Sequence, residues 1–196
     1  MTKRKRKRGF SLGEILVAVA ITAVIAAVVI PAIGGQLNKG DVGRVSGDLT
    51  SIQNAVQQFL ADVRRYPSAM SSLQTKPAAA TASDTGANNS GTYTATQVAR
   101  WRGPYMTKDF STTGVTGFNG NFITLFKVCG VTTGGVLSCA ANPAGQRYLT
   151  VLLPGLSSIE MAQIDSSMDD GVATTGMVLT TTSGVDTLRF LMLPIQ

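Results

Sequence analysis

Few side chains of this 196-residue sequence could perform chemistry, because the sequence contains no histidine. Histidine is the usual general base and the commonest metal ligand, and without it Ser-His and Cys-His nucleophilic catalysis is unavailable. The two glutamates, Glu14 and Glu160, lie far apart, and no carboxylate pair has a recognisable catalytic spacing. The sequence therefore predicts a protein that is not an enzyme and that needs no cofactor.

Three aspartates near the C-terminus, Asp165, Asp169 and Asp170, form an acidic group. Clustered oxygen ligands suit hard cations, so this group is a candidate for binding Ca²⁺. The segment lacks the EF-hand loop pattern, and a solvated turn is the favoured interpretation. We therefore expect no metal here.

The segment Arg100-Trp101-Arg102 combines basic and aromatic side chains, as single-stranded nucleic-acid sites do. Three residues in an otherwise neutral region are a weak signal, and Trp101 is expected to pack beneath the neighbouring loop. Nucleic acid is therefore not an expected partner.

Two cysteines, Cys129 and Cys139, are an even number at a short spacing. Such a pair favours one disulfide in an oxidising compartment, and two unpaired buried thiols are the alternative. The segment Thr133-Gly134-Gly135 between them is typical of a turn, so the disulfide would close a hairpin.

A basic run precedes a long apolar run at the N-terminus. Lys3 to Arg8 supply six of the 17 basic residues, and the 11 that are left equal the 11 acidic residues. Every residue from Ile15 to Ile30 is apolar except Thr22, and a helix from Leu12 to Ile33 would cross a hydrocarbon core of about 30 Å. The pattern predicts a retained, positive-inside anchor rather than a cleaved secretory signal.

Beyond this run the sequence predicts a longer helix and then a sheet. An apolar stripe at helical spacing comprises Ile33, Leu37, Val45, Leu49, Ile52, Val56, Phe59, Leu60 and Val63. Pro67 and the basic pair before it predict the end of the helix near Arg65. Strand-like runs follow at Phe122–Val128, Tyr148–Leu153, Met177–Thr182 and Leu188–Leu193. Short turns between most of them favour an antiparallel sheet that packs on the helical stripe, which gives an α+β fold.

The stretch "RGFSLGEILVAVAITAVIAAVVIP" resembles the N-terminus of type IV prepilins and pseudopilins. The matching features are the basic leader, Gly9, Phe10, Glu14 four residues later, and an apolar helix that contains Pro31. The resemblance covers about the first third of the chain. It implies a pilin-like fold, in which a long N-terminal α-helix, membrane-spanning in its first half, packs against a small antiparallel β-sheet.

The resemblance also implies a processing site and an assembly mechanism. Prepilin peptidase would cut between Gly9 and Phe10 and methylate the new amine of Phe10. Glu14 would pair with the N-terminal amine of a neighbouring subunit, because an acid within an apolar span needs a partner. Pro31 would loosen the helix during packing, in addition to producing an ordinary kink. The implied partners are further copies in a helical homopolymer, the inner-membrane assembly platform, and membrane lipid before assembly.

The expected organisation is a removed leader at 1–9, a transmembrane and filament-core helix at 10–33, its amphipathic continuation at 34–65, a variable loop region at 66–120, and a sheet domain at 121–196. The precursor would lie in the inner membrane and the mature form in a cell-surface or periplasm-spanning filament.

The function expected from these features is a structural subunit of a type IV pilus, with a major-type pseudopilin of a type II secretion system as the alternative. The segments "RRYPSAMSSL" and "WRGPYMTK" resemble that pseudopilin, whose later Asp-Pro-Trp-Gly segment is absent. A disulfide is more typical of pilus subunits, and "IDSSMDDGVATTGMV" resembles an Asp-Asp-Gly loop of many pilins. A DNA-uptake pilin and a membrane-anchored binding domain are less favoured functions.

Overall fold

The structure is a computed structural model that describes residues 11–79, 92–108, 110, 122–133, 137–139, 143–181 and 187–195, with side chains at 28–39 left undescribed. It divides into two compact units, Met1–Gly40 and Asp41–Gln196.

The predicted long helix is present as α1, Leu12–Val63. It ends two residues earlier than the expected boundary at 65, because Arg64 adopts a left-handed backbone conformation with φ of 58°. The backbone N–H of Arg64 donates to the carbonyl of Leu60 at 2.9 Å, which completes the last turn. A left-handed residue just beyond the last turn is a common way to terminate a helix, and glycine usually occupies that position.

In the second unit, the helical stripe forms the centre of the core. Its members Val45, Leu49, Ile52, Val56, Phe59 and Val63 are fully buried. They share one cluster with sheet residues such as Leu149, Val151 and Phe190, as the sequence predicts. The stripe residues Ile33 and Leu37 lie outside the described side chains.

In the described part of the chain, the sheet is antiparallel throughout and has five strands in the order β2-β1-β3-β5-β4. The strands are β1 Lys127–Val131, β2 Leu137–Ser138, β3 Gln146–Pro154, β4 Val178–Thr181 and β5 Thr187–Ile195. The two nine-residue strands, β3 and β5, pair with each other at the centre, and the shortest strands lie at the two edges. The predicted runs for β3, β4 and β5 are confirmed within two residues at each end.

The predicted strand Phe122–Val128 is mostly wrong, because β1 begins at Lys127. The preceding residues use their backbone groups elsewhere. Ile123 donates to the Leu152 carbonyl at 2.9 Å, and the Thr124 carbonyl accepts from Met70 at 2.8 Å. A partly buried segment thus has the composition of a strand without belonging to the sheet.

The described residues also form three short helices that the sequence patterns do not predict: α2 Ser71–Gln74, α3 Ala95–Ala99 and α4 Ser158–Met168. Both α3 and α4 begin with a reciprocal capping box, formed by Thr94 with Gln97 and by Ser157 with Glu160. The spacing of these pairs is the sequence signature of a helix start. Because α4 continues to Met168, the loop expected from Ile164 onward begins only at Asp169.

Cys129 and Cys139 form the predicted disulfide. Cys129 lies in β1, and Cys139 directly follows β2, which pairs with β1 through Gly130 opposite Ser138. The bond therefore closes a hairpin at one edge of the sheet. Closing a loop of this size contributes about 2–3 kcal/mol in the chain-entropy account.

Trp101 packs against the rest of the second unit, in agreement with the sequence. Its Nε1–H donates to the Ser72 carbonyl at 3.1 Å, and its ring meets Tyr105 edge-on at 5.7 Å. Tyr105 also contacts Phe59 of α1, with ring centroids 5.7 Å apart. These aromatic contacts fasten the segment after α3 to the long helix.

Candidate functional site

The first turn of α1 contains a capping box that involves Glu14. The backbone N–H of Ser11 donates to Oε2 of Glu14 at 2.8 Å, and the backbone N–H of Glu14 donates to Oγ of Ser11 at 3.2 Å. Such reciprocal bonds satisfy two of the donors that a helix start leaves unpaired. Glu14 therefore caps the N-terminus of α1, a role that the Ser11-x-x-Glu14 spacing could have indicated.

Around this turn, the described part of α1 in the first unit exposes large apolar side chains in every direction. Eight of them are more than half exposed: Leu12, Ile15, Leu16, Val17, Val19, Ile21, Val24 and Ile25. The polar Thr22 donates its hydroxyl to the carbonyls of Ala18 and Val19 of its own helix. A helix that is apolar on all sides requires an apolar environment, and these side chains are exposed in the part of the chain that the structure describes.

The remaining predicted processing and assembly residues are covered only in part. Gly9 and Phe10 lie outside the described residues. Pro31 lies within α1, and its side chain lies outside the described ones. Among the residues that the structure describes, no helix combines the length and apolar character that a membrane crossing requires.

The three candidate metal ligands do come together at the C-terminal end of α4. One carboxylate oxygen from each of Asp165, Asp169 and Asp170 lies within 4.8 Å of the others. Two of these carboxylates hold the following loop. Asp169 accepts hydrogen bonds from the backbone N–H groups of Met177 and Val178.

The carboxylate of Asp170 accepts from the backbone N–H of Val172 at 2.8 Å and from the hydroxyl of Thr175 at 2.5 Å. Both hydrogen bonds lower the pKa of Asp170, and the bond from the Thr175 hydroxyl has the larger effect. The loop is therefore closed by its own acidic residues.

Asp165 corrects the expectation of a wholly solvated turn, because only 1% of it is exposed. It lies on the inner face of α4 beside the buried Ile164, and its Oδ1 has no hydrogen-bond partner. Burial raises the pKa of Asp165, and the charges of Asp170 and Asp169 raise it further. The ionised form is thus unfavourable in the folded state.

We predict that Asp165→Asn stabilises the protein at pH 7 by about 1 kcal/mol, because it removes a buried charge whose Oδ1 has no hydrogen-bond partner. The folded pKa lies above the unfolded one, so wild-type stability falls as the pH rises through the folded pKa. The advantage of the variant should therefore vanish below about pH 3.9, where both states are protonated. Thermal melts by circular dichroism at both pH values measure it.

Asp41→Asn serves as the control for this prediction, since Asp41 pairs with an exposed arginine, Arg44, at 3.6 Å. A neutral-pH loss of stability in Asp165→Asn would contradict the prediction. If that loss occurred only in buffer containing Ca²⁺, it would identify Asp165 as a cation ligand.

Comparisons with known proteins agree with the N-terminal features. Residues 4–30 match the family model described as "Prokaryotic N-terminal methylation motif", and this range includes Gly9, Phe10 and Glu14. No solved structure shows significant similarity to the chain.

The curated relatives are similar to the chain over little more than a third of its length. "Type II secretion system core protein G" of Klebsiella michiganensis is 35% identical over 78 residues, which cover 38% of this chain and 55% of the relative. The protein of the same name from Pectobacterium carotovorum subsp. carotovorum is 37% identical over 75 residues, 37% of this chain and 48% of the relative. The chain thus spans about half the length of the curated relatives it matches. Together, the methylation motif, these relatives and the helix-plus-sheet fold support the resemblance to type IV pilins and type II secretion pseudopilins.

Proposed function

We propose that the protein is a pseudopilin, a structural subunit of a filament of the type II secretion kind. The relatives support this alternative over the pilus subunit that the sequence first suggested, since they are named as type II secretion core proteins. In this proposal the precursor is anchored in the inner membrane, processed by prepilin peptidase, and taken into a periplasmic helical homopolymer by the assembly platform.

The single observation that carries the proposal is the exposed apolar surface of α1 between Leu12 and Ile25. Its large apolar side chains are more than half exposed, whereas the fully buried stripe from Val45 to Val63 packs within the second unit. The first surface needs lipid before assembly and equivalent helices of other subunits after assembly. Such a surface suits polymerisation better than a binding or catalytic task.

Glu14 provides a polar contact within this apolar environment. Its Oε2 is engaged by Ser11, and the carboxylate has capacity for further donors, since a carboxylate offers about four lone-pair sites. The methylated amine of Phe10 from a neighbouring subunit is the proposed donor. Glu14 would thereby fix the axial register of adjacent helices.

We predict that the mature chain begins at a methylated Phe10. Intact mass spectrometry of the membrane and filament fractions should show the loss of residues 1–9 and the gain of one methyl group. Gly9→Val should leave the full-length precursor, while Gly13→Ala, whose added Cβ meets only the Ser11 hydroxyl at 4.0 Å, should be processed normally. An uncut wild-type chain would contradict the assignment of the processing site.

A deletion strain distinguishes the secretion filament from a pilus. If the proposal is correct, loss of the gene leaves secreted enzymes in the periplasm, and complementation restores their release. Loss of surface filaments with normal enzyme release would instead establish the pilus subunit. The disulfide-closed hairpin of Cys129 and Cys139 favours this second candidate, because such a bond is more typical of pilus subunits.

A further inference from the structure

We propose that an acidic loop of one subunit docks into a basic groove of a second copy of this chain. The basic groove is the surface lined by Ala61, Asp62, Arg64, Ala99, Arg100 and Arg102. The acidic loop is the segment from Asp169 to Met177. This contact rests on the proposed function, because it is a contact between filament subunits.

The basic groove has a volume of about 530 Å³ and concentrates three arginines from two elements. Arg64 follows α1, while Arg100 and Arg102 follow α3, and all three side chains are exposed. Within the part of the chain that the structure describes, no carboxylate forms an ion pair with them. Asp62, the acidic residue in the groove, accepts a hydrogen bond from the Tyr105 hydroxyl at 2.9 Å instead.

The positive charge of the groove is therefore available to a ligand. The carboxyl ends of α1 and α3 reduce the mutual repulsion of the arginines, since the end of a helix carries a partial negative charge. Planar guanidinium groups bind carboxylates through paired hydrogen bonds, which makes an acidic side chain a suitable ligand.

Arg64 has a second property that points to a task for its side chain. It occupies a left-handed conformation, with φ of 58°, at the position after a helix where glycine is the usual residue. A residue with a Cβ is disfavoured there, because the Cβ comes close to the neighbouring backbone. A side chain that lines the groove gives a reason for an arginine at this position in place of glycine.

The acidic loop has the complementary charge and a fixed shape. Asp170 is exposed and Asp169 is half-buried. Their hydrogen bonds to Val172, Thr175 and Val178 hold the loop in one conformation, so little conformational entropy would be lost on docking. The exposed Val172, 49% accessible, lies beside the two carboxylates in sequence and offers an apolar contact at the same surface.

The two surfaces lie near opposite ends of the packed part of α1. The hydroxyl of Ser167, at the end of α4, lies 3.5 Å from that of Ser46 on α1, and the acidic loop starts two residues later. The groove is formed at Asp62 and Arg64. Sixteen residues of helix separate Ser46 from Asp62, which corresponds to about 24 Å along the axis.

In the proposed filament the subunits share one orientation, so complementary surfaces at their opposite ends cannot contact each other reciprocally, as they could in an antiparallel dimer. They join head to tail, and a head-to-tail contact that does not close generates a helical filament. The acidic loop of one subunit would thus contact the basic groove of the next subunit along the filament. This polar contact would act in addition to the apolar contacts of the N-terminal helices.

Cysteine cross-linking in cells tests the contact directly. Ala99→Cys places a thiol in the groove and Val172→Cys places one in the loop, and both changes leave every charge in place. A chain that carries both should give a ladder of covalent multimers after mild oxidation, whereas each single variant should stay monomeric. Adding Arg102→Glu should weaken the ladder at least about tenfold, while Lys127→Glu on strand β1 should leave it unchanged.

Asp170→Asn, which keeps an acceptor for the Val172 N–H, should also weaken the ladder. A double-cysteine chain that forms filaments but no ladder would overturn this contact while leaving the proposed function intact. A double-cysteine chain that forms neither filaments nor a ladder would contradict both the contact and the proposed function. A third outcome is that no ladder forms, while the protein binds an oligothymidylate and Arg102→Glu abolishes this binding. That result would show that the groove binds nucleic acid, and it would also overturn the contact.

Discussion

Replacing Glu14 with alanine is expected to lower filament yield at least about tenfold, while leaving processing at Gly9 and the second unit unchanged. A carboxylate within an apolar span costs roughly 2.5–3.5 kcal/mol near mid-membrane and less near an end, so it favours any state that supplies a partner. In the proposed function that state is the assembled polymer. Filament yield after shearing and immunoblotting of the processed subunit measure the two effects separately.

Glu14→Gln is the matched variant that separates charge from helix capping. Its amide oxygen can still accept from the Ser11 N–H, which Glu14 now does at 2.8 Å. If pairing with a neighbouring amine drives assembly, the glutamine variant fails as the alanine variant does. Normal filaments from the glutamine variant would show that capping is sufficient. Normal filaments from the alanine variant would show that Glu14 has no role in assembly.

Replacing Phe59 with alanine is expected to destabilise the second unit by about 3–5 kcal/mol, because the change leaves a large cavity in the centre of the core. Phe59 is fully buried on α1, and its ring contacts Tyr93 and Tyr105 edge-on at 6.0 and 5.7 Å. The substitution would also remove the aromatic contacts by which α1 packs against the segments before and after α3. Urea denaturation followed by circular dichroism measures the loss.

Gln58→Ala, one position away on the exposed face of the same helix, is the control and should change stability by less than about 0.5 kcal/mol. Equal stability of the Phe59 variant and the wild type would contradict the packing of α1 against the aromatic cluster. Because loss of the core would also expose the subunit to proteases, we expect the Phe59 variant to accumulate poorly in cells.

The elements with strong periodicity can be predicted from the sequence. The stripe from Val45 to Val63 repeats at helical spacing, and β3 and β5 are rich in branched apolar residues, so the pattern locates both nearly to the residue. The second unit buries these residues because helix and sheet each present one apolar face. Local pattern and tertiary packing agree here.

Elsewhere the tertiary structure overrides the local pattern. Phe122 and Phe126 are buried, yet the backbone between them bonds to Met70 and to Leu152 of β3 without forming a strand, which no local pattern reveals. Helix α4 is hard to predict because its apolar residues are few, although Ser157 and Glu160 have the spacing of a capping box. The groove formed by Arg64 and Arg102 joins distant segments and cannot be seen in the sequence.

The order of the strands has a consequence for growth of the polymer. An unpaired strand edge can recruit the edge of another molecule, and this hazard grows when many copies are concentrated side by side. In this sheet the long strands are central, while the edges are a two-residue strand next to a covalent bond and a four-residue strand. The edges therefore offer little template for strand exchange. Subunits of the proposed filament could therefore be crowded together and later released without fusing into aggregated sheets, which would make the assembly reversible.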